Sequence, residues 1–260
     1  MSSPPAQRTA LVTGASSGLG AAIARALGAL GWSVAIGARR LDPLKDVAVQ
    51  VEAVGGAAFA HELDVSDLGS IEAFVTATEE RFGPIDTVVS NAGVSIPGRL
   101  FELPVEDLRR EIDTNLLGPM LLTRLVLPGL IERRSGDLVF ISSQNAVIPR
   151  PLQLGYTATK TGLEAMVRVL QMELEGSGVR ATTVRPGPTH SNFGMDWDPN
   201  AVKRVLTSWK HWGVQRHHRF LPAEAIASAV VHTVTAPAGT HFDLIQVNPE
   251  GPVDGPGDDQ

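Results

Sequence analysis

Seven short apolar runs alternate with helix-patterned stretches along this chain, and that alternation constrains the fold more than any other feature. The runs are Arg8–Thr13, Ser33–Gly37, Ala57–Ala60 (leading to Asp64-Val65), Ile85–Val89, Asp137–Ile141, Val179–Val184 and Phe242–Val247. Helical patterns run from Gly18 to about Leu30, where Gly31 closes them, and onward from Asp42-Pro43. A third starts at a Ser66 cap and continues to Arg81. A long pattern covers about Val105–Arg133, with a bend expected at Gly118-Pro119. Two more cover about Gly155–Leu174 and Pro222–Thr235. Strand–helix alternation calls for a parallel sheet covered on both faces, and strand runs without clean polar alternation agree with that burial. The expectation is one doubly wound (Rossmann-type) α/β domain over residues 1–260, with about seven parallel strands flanked by helices. Residues 1–7 and 250–260 read as flexible tails. In such a sheet the ligand lies at the carboxyl ends of the strands, where the strand order reverses.

The first strand and helix are joined by Thr13-Gly14-Ala15-Ser16-Ser17-Gly18-Leu19-Gly20. A glycine-rich turn in this setting lets a phosphate approach the backbone, and the helix start offers unpaired N–H groups and a partial positive charge. The spacing G-x-x-x-G-x-G differs from the commonest dinucleotide fingerprint, and glycine turns also arise for packing.

Composition narrows the alternatives. A length of 260 residues suits one well-buried α/β domain. The formal net charge of −6 argues against a nucleic-acid or anionic-membrane partner. With no Cys, disulfides, thiol nucleophiles and cysteine metal sites are excluded. Met1-Ser2-Ser3-Pro4-Pro5 lacks the pattern of a secretory signal, and no apolar run approaches the ~18 residues a membrane helix needs, so none is expected. The expected setting is cytoplasmic.

Two clusters carry chemistry. Tyr156 and Lys160 are four residues apart in a helical pattern, so phenol and ammonium share a face. A fixed ammonium favours the phenolate and is expected to lower a reference pKa of about 10 toward neutrality. Ser142-Ser143 ends the fifth strand, where a hydroxyl either donates to a substrate carbonyl oxygen or caps the following turn.

Taken in order, Thr13-Gly14-x-x-x-Gly18-x-Gly20, Asn91-Ala92-Gly93, Asn115, Ser143, Tyr156-x-x-x-Lys160 and Pro186-Gly187 resemble the short-chain dehydrogenase/reductase family from about Arg8 to Pro249. The resemblance implies that Tyr156 is the general acid/base, and that Lys160 binds the nicotinamide ribose and lowers the Tyr156 pKa. It implies that Ser143, 13 residues before Tyr156, holds the substrate carbonyl. Asn115 would shape the bent helix and hold a water that relays protons through Lys160. Gly14, Gly18, Leu19 and Gly20 would cradle the phosphates, Ser16 or Ser17 would add a hydroxyl donor to a 2′-phosphate, and Asp64-Val65 would contact the adenine. Asn91-Ala92-Gly93 would support the sheet and flank the adenosine ribose, while Pro186, Gly187 and Thr189 would lie along the nicotinamide. Three departures stand out. Ser90 replaces a common second Asn, Ser191 replaces a common Thr, and His241–Pro249 lacks the glycine pair that often ends the last strand.

Cofactor choice turns on the end of the second strand. Ala38 occupies the position where NAD enzymes commonly place an acid, and Arg39-Arg40 follow. A 2′-phosphate suits a guanidinium, so NADP(H) is expected. Residues 190–221 hold Phe193, Trp197, Trp209 and Trp212 and break the periodicity. They form either a substrate lid or local core. His211, His217 and His218 lack a same-face ligand spacing, so no metal is expected. The whole reads as an NADP(H)-dependent carbonyl reductase or alcohol dehydrogenase with a small-molecule substrate. The family's usual homo-oligomer, a dimer or tetramer, is expected with it. A non-catalytic dinucleotide-binding sensor is the alternative, and an epimerase or dehydratase a weaker one.

Overall fold

The computed structural model describes residues 8–190, 194, 197–214, 217 and 219–251. The expected tail 1–7, residues 252–260 of the other tail, and Ser191, Phe193 and His218 lie outside the described residues. The chain runs β1 (Thr9–Thr13), α1 (Gly18–Gly28), β2 (Ser33–Ala38), α2 (Leu41–Ala53), β3 (Ala57–Glu62), α3 (Leu68–Phe82) and β4 (Thr87–Ser90). It continues through α4 (Val105–Ile112), α5 (Gly118–Arg133), β5 (Gly136–Ile141), α6 (Leu154–Glu173), β6 (Val179–Pro186), α7 (Pro199–His211), α8 (Ala223–Val234) and β7 (Leu244–Val247).

All seven strands form one parallel sheet in the order β3-β2-β1-β4-β5-β6-β7. The chain builds outward from β1 to β3, then crosses back to lay β4 on the other side of β1. The order therefore reverses between β1 and β4, and a crevice opens there at the carboxyl ends.

Successive strand residues feed opposite faces, which is why the runs are apolar throughout. Val12, Val34, Ile36, Val139 and Ile141 meet Ile23 and Leu27 of α1, Leu44 and Val51 of α2, and Ile226 and Val230 of α8. Their neighbours Leu11, Ala35, Val88, Leu138 and Phe140 meet Phe74 of α3, Leu122 and Leu130 of α5, and Leu163 and Val167 of α6.

Several local expectations need correction. Asp67, not Ser66, caps α3, since its Oδ1 accepts from Ser70 N at 2.8 Å. Ser66 instead donates to Asp64 Oδ1 from its backbone N (2.9 Å) and its hydroxyl (2.6 Å). The irregularity expected at Gly118-Pro119 falls one turn earlier, as a π-turn over Asp113–Leu117. Pro119 lies in the first turn of α5, where a missing N–H costs little. Gly118 is needed for contact instead of a bend, because a Cβ there would lie 2.4 Å from Val65 O. The helical stretch Val105–Arg133 does reach a length and apolar content that could cross a membrane, contrary to the expectation. Here its apolar residues Leu122, Val126 and Leu130 are buried in the second core face. The last strand begins at Leu244, two residues later than expected.

Candidate active site

The turn after β1 is shaped by backbone geometry. Gly14 and Gly18 have φ +65° and +55°, in the left-handed region that favours glycine. Gly14 and Gly20 are also packing residues. A Cβ on Gly14 would lie 2.7 Å from Ala92 Cα, and one on Gly20 would lie 2.4 Å from Gly14 O. The loop is thus folded tightly against β4. Asn91 closes the joint: its Nδ2 donates to Thr13 O (2.9 Å) and Gly14 O (3.2 Å). Thr13 Oγ1 in turn accepts from the backbone N of Asn91 and Ala92, both at 3.0 Å.

This loop fits a dinucleotide pyrophosphate. Ser17, extended at the start of α1, makes no side-chain cap, and no acidic residue occupies the first turn. The first helical bond is Ala21 N to Ser17 O at 3.3 Å, so the N–H groups of Gly18, Leu19 and Gly20 precede the helical ladder. Ser16 and Ser17 are half-buried beside them. At the end of β2, Arg39 and Arg40 are exposed. Asp64 lies near enough to Arg39 for the two charges to interact. Burial opposes its ionisation, but hydrogen bonds from Ser66 and the Arg39 and Arg110 charges hold its carboxyl below the usual range.

Tyr156 and Lys160 lie on the inward face of α6, and both are buried. Ser143 precedes a short 3-10 turn, Gln144–Ala146; its hydroxyl accepts from Asn145 N at 3.2 Å and is hydrogen-bonded to the Tyr156 phenol. Ser142 does other work, donating at 2.6 Å to Glu164 Oε1. Arg185 grips the same carboxylate through Nε (2.8 Å) and Nη2 (2.6 Å). Burial opposes the Glu164 charge, but the Arg185 and Ser142 bonds prevail and lower its pKa.

The protonation states differ from the expectation. Burial pushes the Tyr156 phenol up to about 12, against the Ser143 bond and the Arg150 charge, while Glu111 adds to the rise. Burial brings Lys160 down to about 8. Lys160 is not among the groups that shift the phenol. Its Nζ donates to Ile141 O at 2.8 Å and sits 5.8 Å from the Tyr156 ring centroid. Burial thus favours the protonated phenol, the form that can donate to an alkoxide.

Asn115 sits in the π-turn, fully buried. Its Oδ1 accepts from Val94 N (2.8 Å), and its Nδ2 donates to Val94 O (2.8 Å) and Thr159 Oγ1 (3.1 Å). Gly93 lies between Asn115 and Lys160: a Cβ there would be 3.3 Å from Asn115 Oδ1 and 3.6 Å from Lys160 Nζ. Val65 is buried at the edge of the same crevice. Pro186 ends β6, Gly187 N donates to Val247 O (2.7 Å), and Thr189 Oγ1 donates to Gly187 O (2.9 Å). The Ser90 hydroxyl, at the departed position, is buried without a partner.

Sequence reasoning missed the residues behind and above this cluster. Glu111 is fully buried on α4; its Oε1 accepts from Ile96 N at 2.9 Å, and its Oε2 has no partner. Burial raises its pKa. One helical turn before Asn115, it shares the inward face, which was the available signal. Gln153 donates to Ser95 Oγ (3.0 Å) and accepts from Asn145 Nδ2 (2.9 Å), tying the β4–α4 and β5–α6 loops together.

The insert also contains an unexpected helix. Asp198 Oδ1 caps α7, accepting from Asn200 N (2.9 Å) and Ala201 N (3.3 Å), with Pro199 at the helix start. The insert leaves and returns at one point, where His190 N donates to Leu221 O and Leu221 N to Pro188 O, both at 2.8 Å. Trp197 Nε1 donates to Ser95 O (2.8 Å) and Trp209 Nε1 to Pro151 O (3.2 Å). Trp212 is 67% exposed, so it is not core.

The short chain dehydrogenase family model matches residues 8–201, well over half of the chain. The chain is a short-chain dehydrogenase/reductase. This dehydrogenase/reductase is 33% identical to the glycine betaine reductase of Emericella nidulans over 95% of its own length, but it spans only 19% of that relative. It is 38% identical to a short chain dehydrogenase of Pseudocercospora fijiensis over 74% of its own length and 62% of the relative. Among solved structures, an alcohol dehydrogenase of the archaeon Thermococcus sibiricus, complexed with 5-hydroxy-NADP, superposes with a TM-score of 0.78. The identity is 32%, over 93% of this chain and 96% of that one. The protein is thus an oxidoreductase of this family.

Proposed function

We propose that this dehydrogenase/reductase is NADP(H)-dependent and interconverts a carbonyl and a secondary alcohol. The observation that carries the reading is the Ser143 hydroxyl bonded to the buried Tyr156 phenol at the strand ends, beside Lys160. When bound, the nicotinamide supplies or accepts the hydride. In reduction, Ser143 and Tyr156 donate to the substrate oxygen as it gains charge, and Tyr156 then gives up its proton. Lys160, anchored on Ile141 O, holds the ribose hydroxyls. Asn115 fixes the π-turn and Val94, and the second lone pair of its Oδ1 holds the relaying water toward Lys160. Residues 190–221 serve as the substrate lid, pinned at its base by the Pro188–Leu221 bonds.

Exposed Arg39 after Ala38 supports NADP(H), as does the NADP-type ligand of the Thermococcus structure. A panel of ketones, aldehydes and alcohols with all four nicotinamide forms tests the reading. Turnover with NADPH or NADP⁺ is expected. Arg39→Ala should weaken NADPH binding by about one to two decades and NADH far less. Equal losses for both cofactors would contradict the phosphate assignment.

A homo-oligomer is proposed alongside. Met120, Leu127, Ile131, Met166 and Leu170 line an apolar groove of about 520 Å³ on α5 and α6, outside the active site. Light scattering of the purified protein decides this, with a dimer or tetramer mass expected and a monomer mass contradicting it.

A further inference from the structure

Arg150 stands six residues before Tyr156, in the loop between β5 and α6. Its Nη2 donates to Gln144 Oε1 at 2.8 Å, and its guanidinium lies 4.6 Å above the Trp209 ring. Trp209 is itself held by the bond from its indole N–H to Pro151 O, so α7 and the Arg150 loop form one wall. The guanidinium is thereby fixed in plane before any ligand arrives. Its charge reaches Tyr156, where it favours the phenolate.

The cation is incompletely matched. Arg150 Nε is buried without a hydrogen-bond partner. Among the described residues no carboxylate forms an ion pair with Arg150, whereas the partly buried Arg180 and Arg185 are each paired with one. A half-buried guanidinium whose charge faces no carboxylate and whose Nε has no acceptor favours an anion.

We propose that Arg150 is a substrate-binding residue that seats a carboxylate of the substrate, so that the natural substrate is an oxo acid or hydroxy acid. A single planar cation matches a singly charged planar carboxylate, with Trp209 and Gln144 holding the fork in orientation. The assignment rests on the carbonyl/alcohol reading of the site and adds the substrate class to it.

The test uses linear oxo acids whose carbonyl lies one to four bonds from the carboxylate, together with their methyl esters. Reduction with NADPH is compared within each acid–ester pair for the wild type, Arg150→Gln and Arg150→Lys. At the best spacing the wild type should favour the acid by roughly ten- to hundredfold in kcat/KM. Arg150→Gln should bring that ratio toward one, and Arg150→Lys should keep part of it. Equal use of acid and ester by the wild type, or a preference that survives Arg150→Gln, overturns the assignment while leaving the redox reading intact. Thermal shifts with the same pairs need no turnover. Acids should raise the wild-type Tm above their esters and lose that advantage in Arg150→Gln. Equal shifts for acid and ester overturn the carboxylate site even in a protein that reduces nothing. A complete lack of turnover with acid-selective shifts instead refutes the redox reading and keeps the site.

Discussion

Ser142 and Ser143 share a strand end but not a task. Ser142 is bound to the Glu164–Arg185 pair, while Ser143 meets Tyr156. Ser142→Ala should therefore cost stability, about 1–3 kcal/mol for a buried carboxylate deprived of one donor, with little effect on kcat. Ser143→Ala should leave the melting point nearly unchanged and lower kcat by about 10²–10³, the range for losing one donor to a developing oxyanion. Chemical denaturation and steady-state kinetics on both variants separate the two, and swapped phenotypes would reverse the assignment. The sequence carried Ser143, Tyr156 and Lys160 because strand end and helix spacing bring them to one place. It did not carry the elevated Tyr156 pKa or the Lys160 bond to Ile141 O, because burial and backbone acceptors belong to the assembled site. Arg150 and Glu111 escaped for the same reason: an exposed loop arginine and an amphipathic-helix glutamate look alike in sequence until tertiary packing buries them.

At the scale of elements, α4 and α6 meet through an acid. Glu111 Oε2 lies so close to Gly155 that a Cβ there would be 2.0 Å away, so a side chain one residue before Tyr156 would have to displace the carboxyl. Burial raises the Glu111 pKa in the folded protein. A carboxyl raised by folding favours the fold while protonated. That contribution is lost as pH rises from the ordinary value of about 4.3 through the raised one. Glu111→Gln does not titrate, so its Tm relative to the wild type should climb as pH rises through that window. A constant or falling difference would contradict the burial account. The insert makes a second case. Its helix α7 went unread because the aromatic-rich insert breaks the periodicity and Pro199 looked like punctuation, yet Asp198-Pro199 is a capping residue followed by a proline suited to a first turn. Since Trp209 ties α7 to Pro151, Trp209→Ala should reorder kcat/KM among substrates and leave NADPH affinity nearly intact. An unchanged ranking would remove the insert from substrate choice.

Across the whole molecule, the alternation of strands and helices was legible because both faces of a parallel sheet must be buried, and β1 to β6 each supply residues to both cores. The strand reversal between β1 and β4 follows from that plan and brings the glycine turn, Asn91, Ser143 and Tyr156 to one end of the sheet. What the plan leaves open is whether the end is used for turnover or only for binding a dinucleotide. Tyr156→Phe addresses this most directly, because it removes one oxygen and little volume. NADPH binding, followed by fluorescence, should persist, since the glycine turn and Lys160 are untouched. Reduction of the best carbonyl substrate should fall by at least about 10²–10⁴, the usual contribution of general acid–base catalysis. Near-normal turnover in the Phe variant would contradict the assigned chemistry, and tight NADPH binding without any wild-type turnover would make the protein a sensor.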